Sequence, residues 1–314
     1  MKSIKQQKGV ALFVTLLVVA IATLLATEMW FNNSLDISRQ YNNQASYQAN
    51  HYAKGMMLWA KDILRQDAEG SDFDSSTEVW NQPIAGIQLD DAVLSGHLSD
   101  LDSKFNLNNL LINGVVNEPS RAYFIRILNN LELDIGIADK IIDWLDADQI
   151  PRALGAEDVV YLSKRPSYRT AGQAFIHISE LRLVDGISEQ VFQRLKSFVT
   201  VLPIVGSNPT TINVNTASTL LLKSLDARIT TRDALMLYND GNAAHQTLAD
   251  FYRQPVIVYY NLNNSTDLNV LLSTQSRWFH AQVNITMEQT VFHKYALIFR
   301  NPNPVIRQYS DTSY

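Results

Sequence analysis

Between Asp143 and Asp158 the chain places five carboxylates, Asp143, Asp146, Asp148, Glu157 and Asp158, its densest concentration of groups able to do chemistry. Asp143 and Asp146 are spaced to share one face of a helix, and Pro151 ends that helix. No Cys or His stands among them. Such a cluster suits a hard cation with oxygen ligands, so Ca²⁺ is expected over Zn²⁺, and the competing expectation is a solvated acidic helix end. The spacing is not that of an EF-hand, because no Gly falls where that loop needs one.

The rest of the chain assembles no catalytic group. The absence of cysteine removes disulfides, thiolate metal sites and thiol nucleophiles together. Six histidines, His51, His97, His177, His245, His280 and His293, lie far apart in sequence, and none adjoins a Ser in a nucleophile motif. No Gly-rich phosphate loop occurs. A non-enzymatic protein is expected. The formal net charge of −5 argues against general attraction to nucleic acid, which relies on a basic face.

The carboxylates fall inside a helical stretch from Pro119 to about Leu202. Ser120 is the expected N-cap of a helix carrying Tyr123, Phe124, Ile127, Leu128 and Leu131. An internal repeat follows. Leu133-Asp134-Ile135-Gly136-Ile137 precedes Ile141, Ile142 and Leu145, and Leu183-Val184-Asp185-Gly186-Ile187 precedes Val191, Phe192 and Leu195 at the same offsets. A partial third copy starts at Leu225, with Ile229, Ala234 and Leu237 in register and Arg228 in place of the Gly. The unit reads as helix, Gly-dependent hairpin turn, helix. Helix-hairpin-helix units can grip DNA phosphates through turn N–H groups, so a membrane-tethered DNA-binding or uptake protein is the alternative reading. Here Ala138 and Ser188 stand where a second Gly would fall, with Asp134, Asp139, Asp185 and Glu189 around the turns, which favours an architectural use.

These helices hang from a long N-terminal one. Lys2, Lys5 and Lys8 precede Gly9, and Val10 to Thr27 carries no charged side chain, spanning roughly 27 Å of helix, about one hydrocarbon thickness. The basic start predicts a cytoplasmic N-terminus with the bulk across the membrane. The helical pattern continues through Ala45, Ala49, Tyr52, Met56, Trp59 and Ile63, giving one helix over 10–66 with its membrane part at 10–27. After a loop over Asp67–Thr77, short alternating segments run to Leu110: Val79-Trp80, Ile87 to Leu89, and Val93 to Leu101, where Leu94 is out of step and Gly96 suits a strand-turn-strand. Val256 to Tyr260 has strand character. Trp278 to Thr286 alternates cleanly, placing His280 on a polar face with Gln282 and Asn284, and Thr290 to Arg300 supplies its partner strand. The expected organisation is 1–9 leader, 10–66 helix, 67–118 first part of an α/β head, 119–250 inserted helical domain, 251–300 C-terminal strands and 301–314 loose tail. The fold class is α+β, with the separated strands joined in one antiparallel sheet.

A basic leader, Gly and an apolar helix is the arrangement of type IV prepilins, cut after the Gly with the helix retained. With Asp102-Ser103-Lys104-Phe105-Asn106-Leu107-Asn108, Asp143 to Asp148, Gly155 to Tyr161, Pro166-Ser167-Tyr168-Arg169 and Asn213-Val214-Asn215-Thr216-Ala217, the chain resembles the K-type minor pseudopilins of the type II secretion system. The resemblance implies a pilin-like head in the periplasm, anchorage in the bacterial inner membrane, cleavage by prepilin peptidase between Gly9 and Val10, and N-methylation of Val10. It also implies assembly with I- and J-type minor pseudopilins, and with H- and G-type ones, at the tip of a pseudopilus that exports folded proteins, and calcium in the helical domain. Pilin-like subunits usually carry Glu at the fifth mature position, where it neutralises a neighbour's N-terminal ammonium in lipid. Here that position is Val14, which fits a subunit with no neighbour above it.

Overall fold

The computed structural model describes residues 10–288 and 290–311. Gly9 and the leader lie outside the described residues. Helix α1 runs unbroken from Val10 to Gly70. It contains no proline, and in its apolar part the hydroxyls of Thr15, Thr23 and Thr27 donate to carbonyls three or four residues back, so no side-chain donor is left bare there. The helix is long and apolar enough to cross a membrane. Its exposed first part, Val10 to Thr27, is uncharged all round, whereas Ala49, Ala53, Met56, Met57, Ala60 and Leu64 are buried at helical spacing.

That buried stripe lies on a five-stranded antiparallel sheet. Strands β1 (Ile84–Leu89), β2 (Ala92–Asp100), β3 (Trp278–Met287), β4 (Thr290–Arg300) and β5 (Pro304–Ser310) stand in the order β1-β2-β3-β4-β5. Chain-distant strands meet at the centre, where Ala92 faces Met287 and Asp100 faces Phe279. The three α1 alanines leave room for the helix to approach, and the core between them includes Trp80, Leu94, Leu98, Phe279, Ile285 and Ile298.

Three local expectations are corrected. β2 is one continuous strand with no turn at Gly96, and Leu94 is in step, buried with Leu98 on the helix face. Gly96 is small because α1 comes close: a Cβ there would lie 3.2 Å from Met56 Cε. The stretch 301–314, expected as a loose tail, instead supplies β5, which pairs with β4 from Arg300↔Pro304 to Tyr295↔Ser310. Pro304 begins an edge strand, where a missing N–H forfeits no ladder bond. Val256 to Tyr260 is not a strand. Pro255–Tyr259 forms helix α9, with Pro in the first turn, where no N–H is needed, and Val256 and Ile257 buried.

The helical body occupies the long crossover between β2 and β3. Its members are α2 (Glu118–Asn130), α3 (Gly136–Leu145), α4 (Asp158–Leu162), α5 (Glu189–Leu195), α6 (Thr219–Lys223), α7 (Thr231–Tyr238), α8 (Leu248–Tyr252), α9 and α10 (Thr266–Leu271). One core joins them, reaching from Phe105 to Leu272, so the body extends past both 119 and 250. The repeat positions supply much of it: Ile137, Ile141, Ile142 and Leu145, then Ile187, Phe192 and Leu195, then Ile229, Ala234 and Leu237 are all buried. The glycines do not play one role. Gly186 sits at φ +81°, whereas Gly136 opens α3 and the left-handed residue of its turn is Glu132 at φ 52°.

Candidate functional site

Helix α3 delivers Asp143 from its last turn and Asp146 from the residue that caps it. The chain then loops back through Pro151 and Gly155, so that Glu157, the N-cap residue of α4, meets them. Carboxylate oxygens of Asp143, Asp146 and Glu157 all lie within 4.8 Å of one another. Asp143 is fully buried and accepts from the Arg152 backbone N–H at 3.1 Å. Gly155 makes this arrangement sterically feasible. A Cβ on it would lie 1.8 Å from Asp143 Oδ2, far inside van der Waals contact.

The site lacks positive charge where it is needed. Glu157 is 3% exposed, and neither of its oxygens has a donor, nor does Asp146 Oδ1. The nearby Arg152 and Arg121 guanidiniums reach Asp139 instead, at 3.3 and 2.8 Å. Burial, together with the neighbouring carboxylates Asp143, Asp146, Asp148 and Asp158, pushes Glu157 up to about 7. Asp146 is raised to about 6 by burial and by Asp148 and Asp143, and Asp143 is raised by burial. Acceptor oxygens gathered without donors are what an oxygen-coordinated cation requires. The other two carboxylates face elsewhere: Asp148 Oδ1 accepts from Ile150 N–H at 2.8 Å, and Asp158 Oδ1 from Thr170 N–H at 2.9 Å. An aromatic group formed by Trp144, Tyr161 and Tyr168 packs beside the cluster, with Trp144 edge-on to Tyr161 at 5.2 Å.

A second acidic group, Asp67, Asp74 and Glu78, already holds a protein cation. Arg300 donates to Asp67 at 2.9 Å and to Asp74 Oδ2 at 2.6 Å, linking the end of α1 to the last residue of β4. Sequence reasoning misses this clamp because Arg300 stands more than 200 residues from both carboxylates. It also misses what the Asn-rich motifs do. Asn106 bonds Leu202 through both its N–H and its carbonyl, and Asn213 donates to the Asp74 carbonyl and to Ser276 Oγ. Asn215 donates to the same Asp74 carbonyl, while Ser276 and Thr216 hydroxyls both donate to Asp100. These motifs form a buried polar seam between helical body and sheet, in which each satisfied group fixes the register of two bodies. Repetition of Asn among apolar residues is the only local signal.

Val10 and Val14 both lie exposed on the apolar part of α1. His280 shares a strand face with Gln282 and Asn284 but is buried against the Tyr295 ring, and burial lowers its pKa to about 4. At the turns that could grip DNA, the Gly136 N–H is already donated to Asp134 Oδ1 at 2.9 Å. Lys140 and Lys164 near Gly186 are paired to Asp185 at 3.1 and 2.9 Å. The Gly136 turn thus spends its first amide on its own carboxylate, and the cations beside Gly186 are neutralised by Asp185.

A membrane-length helix whose outer half packs on an antiparallel sheet, with the body of the protein extended beyond it, defines a pilin-like subunit. Comparison with known proteins makes the class specific. Residues 103–204 match the family model described as "Type II secretion system (T2SS), protein K". The chain is 38% identical to the type II secretion system protein K of Pseudomonas aeruginosa, over 70% of this chain and 68% of that protein. It is 30% identical to the protein K of Pectobacterium carotovorum subsp. carotovorum, over 93% and 92%. Its fold is that of a chain in the crystal structure of the GspK-GspI-GspJ complex from enterotoxigenic Escherichia coli, with a TM-score of 0.77 at 22% identity, covering 87% of this chain and 98% of that one. The chain belongs to the type II secretion system protein K family, the K-type minor pseudopilins.

Proposed function

We propose that this protein is the tip subunit of a type II secretion pseudopilus. The supporting observation is the combination of a fully apolar anchor, with Val14 where packed subunits need a carboxylate, and a large helical body carried on the head. In this reading prepilin peptidase cuts between Gly9 and Val10, Val10 is N-methylated, α1 stays in the inner membrane, and the head lies in the periplasm. The K-type relative in the solved complex assembles with GspI and GspJ, and the corresponding I- and J-type heads are the partners here, with H- and G-type subunits below. No catalytic step belongs to this role.

Asp143, Asp146 and Glu157 fit a bound calcium ion, because their donorless, buried oxygens converge. Asp148 and Asp158 stand outside that convergence and contribute negative field. The ion would supply only charge neutralisation. The residues themselves tie the end of α3 to the start of α4 and so fix the loop between them.

The test is co-purification of the detergent-solubilised full chain with tagged I- and J-type partners, alongside intact-mass analysis. Recovery of a ternary complex whose K-type subunit starts at methylated Val10 is expected. A mass beginning at Met1, or failure to retain either partner, would refute the assignment. Val14→Glu should weaken assembly, since a carboxylate within lipid is costly unless it is paired.

A further inference from the structure

Asp139 stands one helical turn before Asp143 on α3, so the two carboxylates share a face. It is buried, and a single oxygen of it holds two guanidiniums: Arg121 donates to Oδ1 through Nε and Nη2 at 3.0 and 2.8 Å, and Arg152 through Nε at 3.3 Å. Arg121 has a second carboxylate beside it, Glu118 at 3.7 Å. Among the described residues, Asp139 is the one carboxylate paired with the Arg152 side chain. Arg152 is also rooted in the acidic cluster, since its backbone N–H donates to Asp143 Oδ2 at 3.1 Å. Its positive charge acts on Asp143 and Asp146 from there, favouring their ionised forms. A guanidinium on a flexible stem that starts so close has the cluster within reach, and Asp146 Oδ1 and both Glu157 oxygens are acceptors with no donor.

We propose that Asp139 is a positioning residue for the cation site: by holding the Arg152 guanidinium on its own oxygen, it keeps that charge off Asp143, Asp146 and Glu157 and leaves them open to a divalent cation. The inference rests on the reading of that cluster as a calcium site. The loop brings a conflict with it. Arg152 supplies a backbone donor that fixes Asp143, and the same residue carries a cation able to take the oxygens an ion would need. N–H donors and a hard cation compete for the same carboxylate lone pairs. Without Asp139, Arg152 would make charge-assisted hydrogen bonds within the cluster, and calcium would have to displace it. The negative charge of Asp139 also favours a nearby cation directly, but that effect is the same whether or not residue 152 is charged, which separates the two.

The experiment is calorimetric titration of calcium chloride into the chelator-treated full chain in detergent micelles, for the parent, Asp139→Asn, Arg152→Met and the double variant. Asp139→Asn should weaken calcium binding at least about tenfold, the work of displacing one charge-assisted hydrogen bond. Adding Arg152→Met should restore affinity to within about threefold of the parent, and Arg152→Met alone should tighten it by no more than about threefold, because the guanidinium is already held away. Equal weakening by Asp139→Asn with and without Arg152 would reduce the effect to charge alone and overturn the proposal, as would an unchanged Asp139→Asn. Arg152→Met keeps the backbone N–H that Asp143 uses and alters a partly exposed side chain, so it decides the matter if Asp139→Asn fails to fold: tightening of about tenfold or more would show a guanidinium that competes freely. A parent that binds no calcium would remove the metal site and this role with it, whereas a parent that binds beside variants that do not separate would remove the role alone.

Discussion

Gly155→Ala is the sharpest test of how the carboxylate site is built. The backbone at Gly155 is not in the left-handed region, so alanine is conformationally acceptable and the effect is purely steric. Its Cβ would lie 1.8 Å from Asp143 Oδ2, 2.6 Å from Asp143 Cγ and 3.0 Å from the Arg152 nitrogen. Asp143 is fully buried and held by backbone N–H donors, so it cannot swing aside as an exposed side chain would. Overpacking contributes about 1–3 kcal/mol, and displacing a buried carboxylate from its donors a comparable amount, for a combined loss of roughly 2–6 kcal/mol. At about 2–4 °C per kcal/mol for a body of this size, the helical body should melt on the order of 10 °C lower. Thermal unfolding of the full chain with calcium or with chelator reads both consequences. The parent should gain about 2.7 kcal/mol at a hundredfold excess of calcium over its dissociation constant, and the variant nothing. Gly70→Ala, where nothing lies within 4 Å of the new Cβ, is the control. A Gly155→Ala protein within about 0.5 kcal/mol of the parent that still responds to calcium would refute the reasoning, because the threshold for an ordinary surface change would not have been exceeded.

Arg300→Met leaves Asp67 and Asp74 without their cation and should cost about 3–5 kcal/mol, read as a lower melting temperature and faster proteolysis of the 71–78 loop. Burial pushes Asp100 up to about 6 and raises Asp102 well above the usual carboxylate range, both above the unfolded value of about 3.9. The folded state therefore holds the extra protons, so this contribution is complete below about pH 4 and is lost as pH rises through about 6. Asp100→Asn should flatten the decline between about pH 4 and pH 6 in chemical denaturation, and an unchanged profile would count against it. At Gly96, alanine meets the flexible end of Met56 at 3.2 Å and the Gln282 carbonyl oxygen at 3.4 Å and should change stability by less than about 1 kcal/mol, whereas valine should cost about 1–3 kcal/mol by lifting α1 from the sheet, measured by the same unfolding scans.

Some of this protein is written locally. An uncharged run from Val10 to Thr27, with apolar steps of three and four continuing to Ile63, can bury or shed its surface in only one regular way, so α1 is legible in the residues themselves. The alternation from Trp278 to Thr286 likewise specifies β3, and the repeat specifies which residues of three helical turns point inward. The cluster of five carboxylates is equally visible. Tertiary structure decides the rest. Whether the apolar run Val256–Tyr260 becomes strand or helix depends on what covers Val256 and Ile257, since a short apolar run carries no period of its own. Which three carboxylates converge depends on Gly155 letting the chain fold back against Asp143, and the Asp74–Arg300 clamp joins segments with no sequence relation at all. Periodicity reports which side chains must leave water, a property of neighbours in sequence. Desolvation and charge pairing depend on neighbours in space, and only packing creates those.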